Sequence, residues 1–437
     1  MKRATVWITV MLMALSAWGA AVSPQHVRAP ASKVVPKTTT KPLQKVIEIP
    51  FVFRDDMIII KALVNGKRTG NFMFDTGWGS ALAISSEFDV GDPKGESMGI
   101  SPTGVVVNKT YKVNKLQIGE LDVTKSVDVM ATQLDWGSGT HKEPIDGIIG
   151  LQSWWEYVLE INMKEKKMRF YPREMKDLTK MKADGKSSWL IPIDPTSGTF
   201  AIYLPVSIGG KPGKMVLDTG CIGQAFVIFR HAAERWGIYP NKPEFVHGAR
   251  DVSGTHDTYE CYIHDIGIGP IHIDDATASI QGAISSSQEK DGLIGTKFWE
   301  NYNTWIDFRG RYVFLERWQT EDYIPKEGEI GVLTDFDQIT NRLLIFFVIK
   351  GSPAEKAGLK RGDMIAAING TLIQPATYKR CQDALKGKPG EKVRVSLFVG
   401  NEIKTYEVER KILVNGTPTP HPAAPPAAQP NVETTTK

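Results

Sequence analysis

From residue 48 to residue 318 the chain alternates short apolar runs, rich in β-branched and aromatic side chains, with breaks at Gly, Asn and Asp. That pattern predicts short antiparallel strands. Ile59-Ile60-Lys61-Ala62-Leu63-Val64, then Asn65-Gly66, then Asn71-Phe72-Met73-Phe74 reads as strand, turn and strand. The same order recurs from Ala201 to Ile208, through Gly209-Gly210, to Lys214-Met215-Val216-Leu217. Both hairpins end on one tripeptide, Asp75-Thr76-Gly77 and Asp218-Thr219-Gly220, and each is followed by another apolar run. Further on, Leu116-Gln117-Ile118-Gly119 matches Ile266-Gly267-Ile268-Gly269. Asp146-Gly147-Ile148-Ile149-Gly150 matches Asp291-Gly292-Leu293-Ile294-Gly295, and a Trp follows each (Trp154, Trp299). The first Asp precedes the second motif by 71 residues in one unit and 73 in the other. A lone Asp-Thr-Gly is an ordinary strand-ending turn; two copies in matched surroundings are an internal duplication.

After a connector from Gln319 to Gly328 the pattern changes. A continuous apolar strand, Leu343 to Ile349, runs into Gly351-Ser352-Pro353-Ala354, then Ala357-Gly358-Leu359 and Gly362-Asp363. A buried strand, Met364-Ile365-Ala366-Ala367-Ile368, follows, with Asn369-Gly370 as its hairpin turn.

The paired Asp-Thr-Gly and Asp-Gly-apolar-apolar-Gly motifs resemble the aspartic proteases of the retropepsin and pepsin group, over roughly residues 48 to 318. The Ser-Pro-Ala…Ala-Gly-Leu…Gly-Asp…Asn-Gly string resembles a PDZ domain of the bacterial secreted-protease type. The expected fold is therefore mostly β, a two-lobed acid-protease-like unit followed by a PDZ-like α+β domain. The first resemblance implies an aspartic-type endopeptidase in which Asp75 and Asp218 form one catalytic dyad. Thr76 and Thr219 would then bond across the pseudo-twofold axis, and Gly77 and Gly220 would let the backbone turn tightly behind each carboxylate. The chain departs from the family after each Gly, where Trp78 and Cys221 replace the usual Ala, Ser or Thr. The second resemblance implies a groove for peptide or protein C-termini, with its carboxylate loop at Ile330-Gly331-Val332-Leu333; a purely structural brace is the alternative.

Two Gly-bounded segments, Gly99 to Gly104 and Gly248 to Gly254, are candidate flap hairpins, with ordinary surface hairpins as the alternative. Gly95-Glu96-Ser97-Met98-Gly99 matches the serine-hydrolase elbow in letters, but lacks a preceding buried strand and a following helix. His264, Asp265, His272, Asp274 and Asp275 cluster without a metal-ligand motif and read as solvated strand residues. No metal and no cofactor is expected. Of three cysteines, Cys221 and Cys261 fall in one lobe, where a disulfide is open, and Cys381 stands apart.

Charge adds little to this reading. The net charge is +4 over 437 residues, and Lys2, Arg3, Arg28, Lys33, Lys37, Lys41 and Lys45 all precede the first lobe. The folded body is thus near neutral, and no nucleic-acid partner is implied. Lys2-Arg3, an apolar run from Val6 to Ala17 and Gly19-Ala20-Ala21 have the order of a secretory signal, with an uncleaved anchor as the alternative. The expected layout is a signal peptide over 1–21, a flexible linker over 22–45, lobes over 48–172 and 190–318, a PDZ domain over 328–412 and a disordered tail over 417–437. The expectation is an exported, periplasmic or secreted enzyme acting on polypeptide, with no membrane span after signal cleavage. The rival is a catalytically inactive peptide-binding receptor or scaffold.

Overall fold

The computed structural model describes residues 45–417, apart from 102–103, 135–143, 195–200, 252–253, 283–289, 321 and 338–339. The leader, most of the linker and nearly all of the tail lie outside the described residues. Strands dominate, in two lobes and a C-terminal unit.

Each lobe is built on the same three-strand core. In the first, Arg68–Phe74 runs parallel to Gly147–Ile149, which pairs antiparallel with Leu82–Ser85. In the second, Lys211–Leu217 runs parallel to Gly292–Ile294, which pairs antiparallel with Phe226–Ile228. The register is also shared: Phe74 lies opposite Ile149 and Leu217 opposite Ile294. Each strand that ends in an Asp is therefore flanked by the Gly motif that follows much later in the chain. The inner strands are buried on both faces, which explains their unbroken apolar sequences.

The lobes are joined by a six-stranded sheet to which both contribute. Tyr157–Asn162 of the first pairs antiparallel with Tyr302–Asp307 of the second, placing Val158 opposite Asp307 and Ile161 opposite Thr304. One apolar core runs through both lobes and includes Phe74, Trp154, Phe170, Leu217, Phe298 and Trp299. The duplicated Trp residues are core: Trp154 stacks on Phe74 at 6.0 Å, and Trp299 donates from Nε1 to the Ile294 carbonyl.

The C-terminal unit has a separate core around Leu343, Ile345, Ile365, Val393 and Val395. Its sheet orders Val332–Asp337, Arg342–Val348, Met364–Ile368, Lys392–Val399 and Glu402–Glu409, which leaves Val332–Asp337 at an edge. Asn369 and Gly370 both take positive φ, as the predicted Asn-Gly hairpin turn requires. Among the described residues no helix is long and apolar enough to cross a membrane.

Candidate active site

Asp75 and Asp218 leave their strands where those strands reach the lobe interface. Their backbone N–H groups donate to Ile149 and Ile294 respectively, each at 2.9 Å, so the two loops begin alike. Thr76 N donates to Thr219 Oγ1 at 3.0 Å, and Thr219 N donates to Thr76 Oγ1 at the same distance. Each hydroxyl then donates across the interface, Thr76 to the Leu217 carbonyl and Thr219 to the Phe74 carbonyl, both at 2.7 Å.

The carboxylates inside this frame are fully buried, 0% exposed in both cases. Asp75 Oδ1 accepts from Gly77 N at 2.8 Å and Trp78 N at 3.0 Å. Asp218 Oδ1 accepts from Gly220 N at 2.7 Å and Cys221 N at 3.2 Å. No donor among the described residues reaches either Oδ2. The glycines serve a different purpose from the tight turn expected of them, for neither has a positive φ. A Cβ on Gly77 would lie 2.4 Å from Asp218 Cγ, and one on Gly220 would lie 2.3 Å from Asp75 Oδ2. Each glycine is the floor on which the opposite carboxylate rests.

Burial pushes the Asp75 carboxyl well above the usual range, and the Asp218 charge adds to the shift. Burial likewise raises Asp218, to about 6, against the lowering effects of the Gly220 N–H and the Lys290 ammonium. Two carboxyls so placed hold one proton between them across a wide pH range.

The motif that follows each unit braces the approach. Asp146 Oδ2 accepts from Asn71 N at 2.9 Å, and its Oδ1 is 3.1 Å from Arg68. Asp291 Oδ2 accepts from Lys214 N at 2.8 Å, and its Oδ1 is 2.7 Å from Arg235. The two cations come from unrelated places in the repeat, so the duplication did not reveal them. Trp78 is turned away into an apolar cluster with Met73, Ile145, Ile148 and, from the other lobe, Ile222. Cys221 is buried in the corresponding cluster of the second lobe, and burial raises its thiol. Cys221, Cys261 and Cys381 are all free thiols.

Both candidate flap segments are hairpins: Gly95–Ser101 pairs with Gly104–Val113, and His247–Asp251 with Gly254–Ile268. Gly99, Gly104 and Gly254 lie on these strands, and the turn residues 102–103 and 252–253 lie outside the described residues. Gly248 belongs to a stem, where a Cβ would meet Phe347 of the C-terminal unit at 2.6 Å. Ser97 sits in the first hairpin opposite Asn108, away from any strand-to-helix elbow. His264 pairs with Asp275 and His272 with Asp274 on one hairpin, and no metal-holding cluster occurs among the described residues.

In the C-terminal unit, Ile330 and Val332 are buried, and Gly331 has φ +88 with Ser352 packed where its Cβ would be. Leu333 lies on the edge strand opposite Phe347. The helix Tyr378–Asp383 lies over that strand, with Tyr378 stacked on Phe336 at 4.3 Å. Gln382 Nε2 donates to the Thr334 carbonyl at 3.1 Å.

Sequence reasoning missed how this unit docks. Val246 and Lys350 exchange backbone hydrogen bonds at 3.1 and 3.0 Å, and Phe245, Ile349 and Leu413 form a small shared core. Asn415, beyond the expected end of the unit, binds both the N–H and the carbonyl of Phe245 and the carbonyl of Glu260. A polar residue in a loop gave no signal for this.

Comparison with known proteins defines the class. Residues 204–298 match the aspartyl protease family model, and residues 348–397 match the PDZ domain model. The chain therefore joins an aspartyl-protease-like domain to a C-terminal PDZ domain. Among curated proteins it is 36% identical over 67 residues to the carboxy-terminal processing protease CtpA of Bacillus subtilis. That match covers 15% of this chain and 14% of the relative. It is 26% identical over 102 residues to a probable CtpA-like serine protease of Staphylococcus aureus, covering 22% of this chain and 20% of the relative. A photosystem II D1 C-terminal processing protease of known structure shares 25% identity over 21% of this chain and 24% of its own, with a TM-score of 0.19. The matched stretches thus span a seventh to a fifth of the curated relatives' length. The curated matches agree with the two family models in placing a PDZ domain beside a protease-like domain. They also correct the enzyme class expected from the duplicated tripeptide, an aspartic-type endopeptidase, because the curated likeness leads to proteins named serine proteases. The tripeptide reported a lobe architecture, which does not by itself fix the nucleophile.

Proposed function

We propose that the chain hydrolyses polypeptides, with proton transfer handled by the Asp75–Asp218 pair and peptide C-termini taken by the PDZ unit. The observation that carries this reading is the buried pair itself, whose inner oxygens are pinned by N–H groups and whose Oδ2 atoms are left to share a proton. A water between them would give a proton to the ionised partner as its oxygen attacks the scissile carbonyl carbon. The protonated partner would give its proton to the carbonyl oxygen. Collapse of the resulting diol breaks the C–N bond, moves a proton to the leaving nitrogen and restores one proton to the pair. Both carboxyls are buried, and the two hairpins expected as flaps would be the lids that open to admit a substrate.

The relatives' names, carboxy-terminal processing protease among them, support a polypeptide C-terminus as the PDZ ligand. Capture would add a strand at the edge Val332–Asp337, with the carboxylate near Ile330 to Leu333. The Lys2-Arg3 start and the apolar run after it support export before the protein acts.

The test is cleavage of a diverse peptide library by residues 46–437 across pH 3 to 8, beside Asp75→Asn, Asp218→Asn and a serine-acylating reagent. Loss in both variants with indifference to the reagent is expected. Cleavage that survives both substitutions and is abolished by the reagent overturns the role of the pair. Peptide binding by a folded wild-type chain that cuts nothing favours the receptor reading.

A further inference from the structure

The two halves of the site are not equivalent, and one of the differences between them is a buried charge. The residue before the Asp-Gly-apolar-apolar-Gly motif is Ile145 in the first lobe and Lys290 in the second. Ile145 packs as expected in the apolar cluster that holds Trp78. Lys290 is 2% exposed, an unusual environment for an ammonium. Its Nζ lies 5.9 Å from the centre of the Phe229 ring. Phe229 belongs to the cluster that contains Val216 and Cys221, two residues before and three after Asp218, and Leu293 of the following motif. Cys221 N is itself a donor to Asp218 Oδ1.

We propose that Lys290 is a positioning residue that makes the pair unsymmetrical, holding the negative charge on Asp218 and leaving the proton on Asp75. This rests on the hydrolytic reading and deepens it, for it names Asp218 as the base and Asp75 as the acid. The lysine's charge lowers the Asp218 carboxyl, while the leading influences on Asp75 raise it. The other titratable groups about the pair are the Cys221 thiol, which is raised, and Glu260, which acts on that thiol. Beyond Phe229, His231 and Arg235 face Asp291.

The experiment compares Lys290→Met and Lys290→Arg with wild type by two readouts. The first is the acid limb of the pH–rate profile, which should move upward by about half to one pH unit in Lys290→Met and return in Lys290→Arg. The second is titration of carboxyl-labelled aspartate by NMR, which needs no turnover and should show the lower-titrating carboxyl of the pair rising in the same variant. Unchanged titration in a folded Lys290→Met protein overturns the proposal. If Lys290→Met does not fold, Lys290→Gln replaces it and is judged by the same two readouts. A wild-type chain that cleaves nothing defeats the hydrolytic reading, and the NMR titration still decides whether Lys290 sets the charge.

Discussion

Thr76 and Thr219 each donate a backbone N–H to the other's hydroxyl at 3.0 Å, and each hydroxyl donates onward to the opposite lobe at 2.7 Å. Six polar groups, on four residues that are each 0% exposed, are thereby satisfied by one another. Removing one hydroxyl orphans two groups in the partner lobe. Thr219→Val leaves the Thr76 N–H and the Phe74 carbonyl unmet, and is expected to cost about 2–4 kcal/mol. Thr219→Ser restores most of it. Denaturant unfolding of the three proteins checks this, and a Val variant as stable as wild type would show that the bonds carry no weight.

Glu260 gives stability a pH dependence. Burial raises its carboxyl to about 7 from an ordinary 4.5, and the charge of Glu329 in the C-terminal unit pushes the same way. A raised carboxyl contributes stability that is full below about pH 4.5 and fades as pH climbs through about 7. Glu260→Gln keeps the acceptor for Gln224 Nε2 and removes the ionisation. The variant should match wild type near pH 4 and exceed it by about 1–2 kcal/mol at pH 8, less than the full shift implies because part of the side chain meets solvent. Melting curves at the two pH values measure this; a constant difference would place the effect elsewhere.

Asn415 ties the C-terminal unit to the stem of the second-lobe hairpin. Its amide serves Phe245 N at 2.9 Å, the Phe245 carbonyl at 2.9 Å and the Glu260 carbonyl at 3.0 Å. Asn415→Ala should raise amide hydrogen exchange at 245–248 by at least tenfold, because buried groups lose their partner. Exchange inside the sheet around Leu343 and Val393 should not change. Equal exchange at 245–248 in both proteins would mean that the apolar contact of Phe245, Ile349 and Leu413 holds the units together alone.

Gln382 occupies a carbonyl on the edge strand to which a peptide would add. An incoming strand must displace that amide, at a net cost of about 1 kcal/mol. Gln382→Ala is therefore expected to bind peptides with a free C-terminus about fivefold more tightly in a titration. Weaker binding would show that Gln382 grips the peptide instead.

How much of this was legible depends on how local the signal was. The duplicated hairpins and the Asn-Gly turn were readable because strand period and turn chemistry act over a few residues. Asp75 and Asp218 were found because the repeat set them in matched positions. The purpose of Gly77 and Gly220 was not, since the atom that excludes a Cβ belongs to a residue more than a hundred positions away. Lys290, Glu260 and Asn415 left no trace for the same reason: each matters through a neighbour brought in by folding. The enzyme class was misjudged from a motif that specifies where two lobes meet.

By itself, then, the sequence determined two β lobes of common design, a PDZ unit behind them, and the two carboxylates that the repeat sets in equivalent places. Only tertiary structure decided that those carboxylates are buried, each against the glycine of the opposite loop, that the ammonium of buried Lys290 acts on Asp218, and that the C-terminal unit grips a hairpin stem. The reason is physical. Backbone pattern follows from local propensity and burial period, whereas desolvation and charge coupling depend on distances across the fold, which no spacing along the chain encodes.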